Sequence, residues 1–325
     1  RWRLLGPSRD VVVALPPTTE TGADTAPPSS AGIDGGIVVS PLTPAAFGRL
    51  PPLVPDAPLP PAPDPALIQA TSSGRLPAIS ADGRLPRDVY ARPHDRRDER
   101  ARLVIIISGI GLSRAASEAA IERSPGAVVL AIDAYTARPD DWARAARRSG
   151  HEILATIPLE DAGGPVHDEG PRALRLAASA DENVQRLHAV LGSLTGYVGA
   201  LAVGGTMFGE DAASPQSVLD ELRGRGLLLV DATGTRETPR VRLSGPLGPP
   251  LIRVDVSIDD ILGAASIDRQ LADVETIAGQ RSVGIALARP YPTTLERLRA
   301  WISALDERRF VLAPVSAVVG GDELP

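Results

Sequence analysis

The sequence has no cysteine, which removes disulfides, thiolate zinc sites and cysteine nucleophiles at once and leaves the redox compartment open. It has no lysine either: all 34 basic residues are arginine, so neither a Schiff-base lysine nor a phosphate-loop lysine is available. Aromatics make up only 3% of the 325 residues, so the core must be built from Leu, Val, Ile and Ala. No apolar run is long enough to span a bilayer. A net charge of −6 argues against the basic face that nucleic-acid binding uses. The four histidines do not pair at metal-ligand spacing. His94 precedes the core, His151 follows Gly150 at a strand start, His167 falls in a loop and His188 on a helix flank. No G-x-S-x-G elbow is present, which removes the serine-hydrolase reading.

What is there begins at Leu103 to Ser113, Leu-Val-Ile-Ile-Ile-Ser-Gly-Ile-Gly-Leu-Ser. Five apolar residues, mostly β-branched, stop at Ser-Gly-x-Gly, the pattern of a strand buried on both faces that ends in a tight loop. Ser113 is placed to cap a helix beginning at Arg114. The third glycine of a dinucleotide fingerprint is replaced by Arg114, so that site is not expected. Upstream, Pro51-Pro52, Pro58, Pro60-Pro61, Pro63 and Pro65 crowd together. Residues 1–84 read as a Pro-rich disordered spacer, because such a segment buries too little apolar surface to offset its ordering entropy. Leu76-Pro77-Ala78-Ile79 and Val89-Tyr90-Ala91-Arg92-Pro93 read as extended pieces lying against the domain.

From Leu103 onward eight short apolar runs follow: 103–107, 127–132, 153–157, 197–203, 227–230, 251–254, 283–288 and 310–313. Helical patterns separate most of them. Pro139 to Arg148 ends at Gly150, and Val184, Leu187 and Leu191 share a face. Ser214-Pro215 starts another helix, with Val218, Leu219 and Leu222 apolar. Ile267, Leu271, Val274 and Ile277 make a stripe, as do Leu295, Leu298, Ile302 and Leu305. Alternation of this kind gives α/β architecture with parallel strands. About eight units over some 215 residues fit a (β/α) barrel, an open doubly wound sheet being the alternative. Barrel chemistry sits just past the strand ends. The candidates there are Ser108, Gly109, Asp133, Glu160, Gly205, Asp231, Asp255, Asp259 and Arg289. Converging acids can bind a hard cation, hold sugar hydroxyls or transfer protons. Equally, an Asp after a strand can simply cap the next turn.

The order of the pieces resembles the divergent polysaccharide deacetylases, relatives of the NodB-type carbohydrate esterases. The segments that carry the resemblance are Val89–Pro93, Gly111-Leu112-Ser113, Ala146 to Leu154 with Ser149-Gly150-His151-Glu152, and Ile157-Pro158-Leu159-Glu160. Further along they are Glu182 to Leu187, Gly196-Tyr197-Val198-Gly199, Arg225 to Asp231, and Trp301 through Leu312 to Ser316. The resemblance spans residues 85–319, leaving 320–325 as a tail. It implies a distorted (β/α) barrel in the bacterial envelope or periplasm, held by an anchor preceding residue 1. Deacetylating relatives are implied to bind a divalent metal through Asp-Asp after the first strand, a His after the fourth and Gly-His-Pro after the seventh. The corresponding residues here are Ser108-Gly109, Ala202-Val203-Gly204-Gly205-Thr206 and Ala288-Arg289-Pro290. Glu160, Asp231, Asp255 and Asp259 still match acidic positions of the family pattern.

The expectation is therefore a non-catalytic homologue with no cofactor, binding a glycan (peptidoglycan or another N-acetylated polysaccharide) or an envelope protein. The alternative is an esterase acting through a rebuilt acidic site, with a divalent metal only in that case. A glycosidase using two carboxylates is a third reading.

Overall fold

The sheet carries the architecture. The computed structural model describes residues 42–48, 50–160, 169–205, 215–234 and 249–319, all of them in the compact unit Pro41–Pro325. In chain order the elements are β1 (Ile68–Thr71), β2 (Gly74–Pro77), α1 (Pro86–Val89), β3 (Ala101–Ile110), α2 (Arg114–Arg123), β4 (Val129–Ile132), α3 (Pro139–Arg148), β5 (Ile153–Leu159) and α4 (Ala180–Leu191). There follow β6 (Gly199–Gly204), α5 (Pro215–Gly224), β7 (Leu228–Asp231), β8 (Leu251–Arg253), β9 (Val256–Ser257), α6 (Ala264–Arg281), β10 (Val283–Ala288), α7 (Pro292–Ala304) and β11 (Phe310–Leu312). β1 and β2 form an antiparallel hairpin. The other strands form one parallel sheet in the order β8-β7-β6-β5-β4-β3-β10-β9.

That sheet curls until its two ends meet. β8 and β9 are separated only by Val254 and Asp255. The Val254 N–H donates to Asp231 O in β7, and the Asp255 N–H donates to Ile285 O in β10. One run of chain, 251–257, thus bonds β7 with its first half and β10 with its second, and joins both edges of the sheet. The result is the distorted (β/α) barrel, not the open sheet. β9 is too short to stand out as an apolar run. β11 lies outside the ring: it pairs with the first residues of β3, Ala101 to Leu103, below the stretch where β4 begins to pair at Ile106.

Side chains alternate along each stave. Leu103, Ile105 and Ile107 pack outward with helix residues such as Ala116, Ala120 and Leu295. Val104 and Ile106 join Val129, Ala131, Leu154, Val230, Ile252 and Ile285 in a separate inner cluster. Each fully buried Val, Leu or Ile among them contributes ~1.5–3 kcal/mol. The helices begin and end as their residues dictate. The Ser113 hydroxyl accepts from Ala116 N at the start of α2, and Ser179 with Glu182 forms a capping box on α4. After α3, Gly150 N donates to Arg147 O and His151 N to Ala146 O, with Gly150 at φ 88°, a Schellman turn.

The N-terminal end of the barrel is plugged. Leu67, Tyr90 and Val315 complete the inner cluster there. The buried Arg147 guanidinium donates to the carbonyls of Pro60 at 2.8 Å and of Tyr90 and Gly196 at 3.0 Å each. Only its Nε lacks a partner among the described residues. Glu152, also buried, accepts from Arg92 N at 2.7 Å, from Ser316 N at 3.2 Å and from the Ser316 hydroxyl. Burial pushes the Glu152 carboxyl up and the Arg147 guanidinium down from their ordinary values. His151 is enclosed with Nδ1 2.8 Å from Val128 O and Nε2 3.0 Å from Ile121 O, and burial lowers its pKa.

This plug corrects the expected spacer. Within residues 42–84 the side chains of Phe47, Leu59, Leu67 and Leu76 are buried, so the folded unit starts well before residue 85. Prolines exclude regular hydrogen bonding but not docking, and extended Pro-rich chain buries the apolar residues between its prolines. Residues 1–41, the tail 320–325, His167, Thr206 and Ser214 lie outside the described residues. Among those described, no helix is long and apolar enough to cross a membrane.

Candidate functional site

The C-terminal strand ends open into a cavity of about 1130 Å³. Glycine turns follow two of the strands that lead to it. Gly111 follows β3 at φ 100°, and a Cβ there would lie 2.0 Å from Thr136 Oγ1. Gly205, at φ 45°, has no room either, because its Cβ would meet Glu160 O at 2.1 Å. Both loops can pass this close only without side chains.

The inward register of the core continues into the mouth. From Val104 and Ile106 it reaches Ser108; from Val129 and Ala131, Asp133; from Leu154, Thr156; and from Ile285, Leu287 and Arg289. Ser108 is buried and its hydroxyl donates to Ala288 O at 3.1 Å. Asp133 accepts from Tyr135 N at 2.9 Å. Partial burial raises its pKa, and the Tyr135 hydrogen bond offsets this only in part. No cation among the described residues pairs with Asp133. Arg289 is exposed, and its charge acts on Asp259 rather than on Asp133. Thr156 is 3% exposed, and its hydroxyl has no partner among the described residues.

Of the nine residues expected at the site, the cavity brings together Ser108, Gly109, Asp133, Asp255 and Arg289. Four others are turned to local work. Glu160 accepts from Leu176 N at 2.9 Å, and Gly205 makes room for Glu160 O. Asp231 accepts from both the amide and the hydroxyl of Thr233, at 3.0 and 2.6 Å, the turn-capping role open to any Asp after a strand. Asp259 is buried under Arg289 N and the Thr294 hydroxyl, at 2.7 and 3.0 Å, and burial raises its pKa. Asp255 lines the cavity wall, but its carboxylate is held by Arg281 and by Ile285 N. Sequence reasoning did not single out Thr156, Thr233, Ser257 or Gln270, which also line the cavity. The signal for Thr156 was its place in the inward register of β5, where the apolar alternation meets a hydroxyl.

A divalent metal, implied for deacetylating relatives, does not fit this donor set. The strand ends offer hydroxyls, a guanidinium and one unpaired carboxylate. Among the described residues no three His, Asp or Glu side chains converge on a point.

The model of the divergent polysaccharide deacetylases matches residues 105–319. The chain belongs to this family. Among solved structures, this divergent polysaccharide deacetylase resembles the uncharacterized protein ATU2773 from Agrobacterium tumefaciens C58, at 33% identity and a TM-score of 0.70, over 76% of this chain and 100% of that one. A candidate polysaccharide deacetylase from Mycobacterium smegmatis is more distant, at 17% identity and a TM-score of 0.42, over 70% of this chain and 91% of that one. No curated protein matches the chain.

Proposed function

We propose that this divergent polysaccharide deacetylase is a non-catalytic member of its family that binds a glycan at the barrel mouth, in the cell envelope. One observation carries the reading: the inward positions at the strand ends are Ser108, Asp133, Thr156 and Arg289, where metal-dependent hydrolysis needs a set of ligands to lower the pKa of a water. The cavity, about 1130 Å³, is slightly larger than the ~300–1,000 Å³ of ordinary ligand pockets, large enough for several sugar rings. Its hydroxyls, amides and carboxylates match sugar hydroxyls, and Val203, Val254, Leu287 and Tyr291 offer the apolar surface that sugar C–H faces need. The envelope location rests on the family resemblance.

The test pairs two measurements on the whole chain. Calorimetry with peptidoglycan and chitin fragments is expected to give saturable binding. Acetate release from the same N-acetylated oligosaccharides, with and without added zinc, is expected to stay at the blank. Zinc-dependent acetate release would overturn the reading in favour of an esterase with a rebuilt acidic site. Absence of any glycan binding, with an envelope protein captured instead, would move the role to a protein scaffold.

A further inference from the structure

The floor of the cavity holds hydrogen-bonding groups that the fold itself leaves unused. β4 and β5 pair with Ile132 opposite Ala155, so Asp133 and Thr156 are the next opposed pair, both facing inward. They do not bond each other: among the described residues the Thr156 hydroxyl has no partner and the Asp133 carboxylate accepts from the amide of Tyr135 alone. Ser108 lies beside them on β3, its proton already given to Ala288 O, so its oxygen is left to accept. A buried hydroxyl without a partner and a desolvated carboxylate without a counter-ion are both costly. A third polar group is needed to satisfy them together.

The donor and acceptor count limits what that group can be. The floor presents three acceptors: a carboxylate oxygen of Asp133, Thr156 Oγ1 and Ser108 Oγ. An ammonium has three donors and no acceptor. An acetamide also meets this count, with its N–H on Asp133 and its carbonyl on the Thr156 hydroxyl, so charge decides between the two. Charge favours the ammonium. Among the described residues the cavity lining carries Asp133, Asp255, Asp260 and Asp273 against Arg289, and the Asp255 charge is already matched by Arg281. We propose that the floor formed by Ser108, Asp133 and Thr156 is a subsite for the ammonium group of a de-N-acetylated amino sugar, so that the protein prefers the free-amine form of a glycan to its N-acetylated form. The proposal rests on the glycan reading and specifies its ligand. It places the protein after an amide-cleaving reaction, the class of step that exposes such an amine.

The experiment titrates the whole chain with a glucosamine tetramer and, separately, with the N-acetylglucosamine tetramer of equal length, at fixed salt. The wild type is expected to bind the amine form at least ~10-fold tighter, as one charge-assisted contact warrants. Asp133→Asn is expected to bring the two affinities within ~2-fold, and Thr156→Val to weaken the amine form by ~5-fold, about one neutral hydrogen bond. Asp88→Asn, an exposed residue on α1, makes the same change in net charge and is expected to keep the preference. Equal or tighter binding of the acetylated tetramer overturns the ammonium subsite while leaving glycan binding standing. Equal loss of preference in D133N and D88N also overturns it, as a net-charge effect. Binding of neither tetramer overturns it together with the glycan reading.

Discussion

At the base of the barrel the buried guanidinium of Arg147 is directed at three carbonyls, and the buried carboxylate of Glu152 meets the amides of Arg92 and Ser316. At the mouth, Thr156 keeps a buried hydroxyl and Asp133 a carboxylate that the described residues do not complete. The same staves run between the two ends, so strand propensity does not explain the difference. The base is assembled from segments distant in sequence, and buried charges hold them in place. The mouth is assembled from strand ends and glycine turns, and its polar groups face the cavity. Charges completed by backbone mark structure; polar groups left open mark recognition.

The largest expected effect comes from breaking the base. Arg147→Ala leaves the carbonyls of Pro60, Tyr90 and Gly196 without their donor and is expected to cost ~3–5 kcal/mol in urea unfolding. A loss below 1 kcal/mol would mean that the base is not held by charge. Leu67→Ala follows, at ~2–4 kcal/mol. A spacer residue would show almost nothing, so this variant tests whether the proline-rich approach is part of the core. Ser113→Ala removes the cap of α2 beside the mouth and should cost ~1 kcal/mol, with binding retained.

The smallest effect is the one with the opposite sign. Folding raises the pKa of Asp133, so its contribution is whole below the unfolded carboxylate value and lost as pH rises through the folded one. Asp133→Asn escapes that loss and is expected to be slightly more stable than wild type at pH 7. The gap should close as pH falls below the carboxylate range. A destabilised D133N at neutral pH would mean the carboxylate has a partner within the fold, and the contrast between the two ends would fail.

Much of the barrel was legible in the chain. The eight apolar runs are eight of the strands, and Ser113, Gly150 and the stripes on α4 to α7 sit where their spacing puts them. What was illegible was whatever depends on contact between distant segments. Nothing local distinguishes the docked proline-rich chain from a spacer, because Leu67 acquires its meaning only from Tyr90 and Val315. At the site, position after a strand located Ser108, Asp133 and Arg289. It could not tell a carboxylate facing the mouth from one folded back on its own turn, as in Asp231, or buried against a distant loop and helix, as in Asp259. Parity along the strand makes that distinction. Asp231 follows the outward-facing Leu229, whereas Asp133 follows the inward-facing Ala131.

The two residues that join the ends of the sheet have a consequence for how the protein comes apart. In an ordinary sheet an edge strand can peel away first and offer its bare amides to another chain. Here the edges are the two halves of one segment, so releasing β8 from β7 pulls on β9 and β10 as well. Amides on both sides of Val254 and Asp255 should therefore exchange with solvent at one common rate, set by the opening of the ring rather than by fraying.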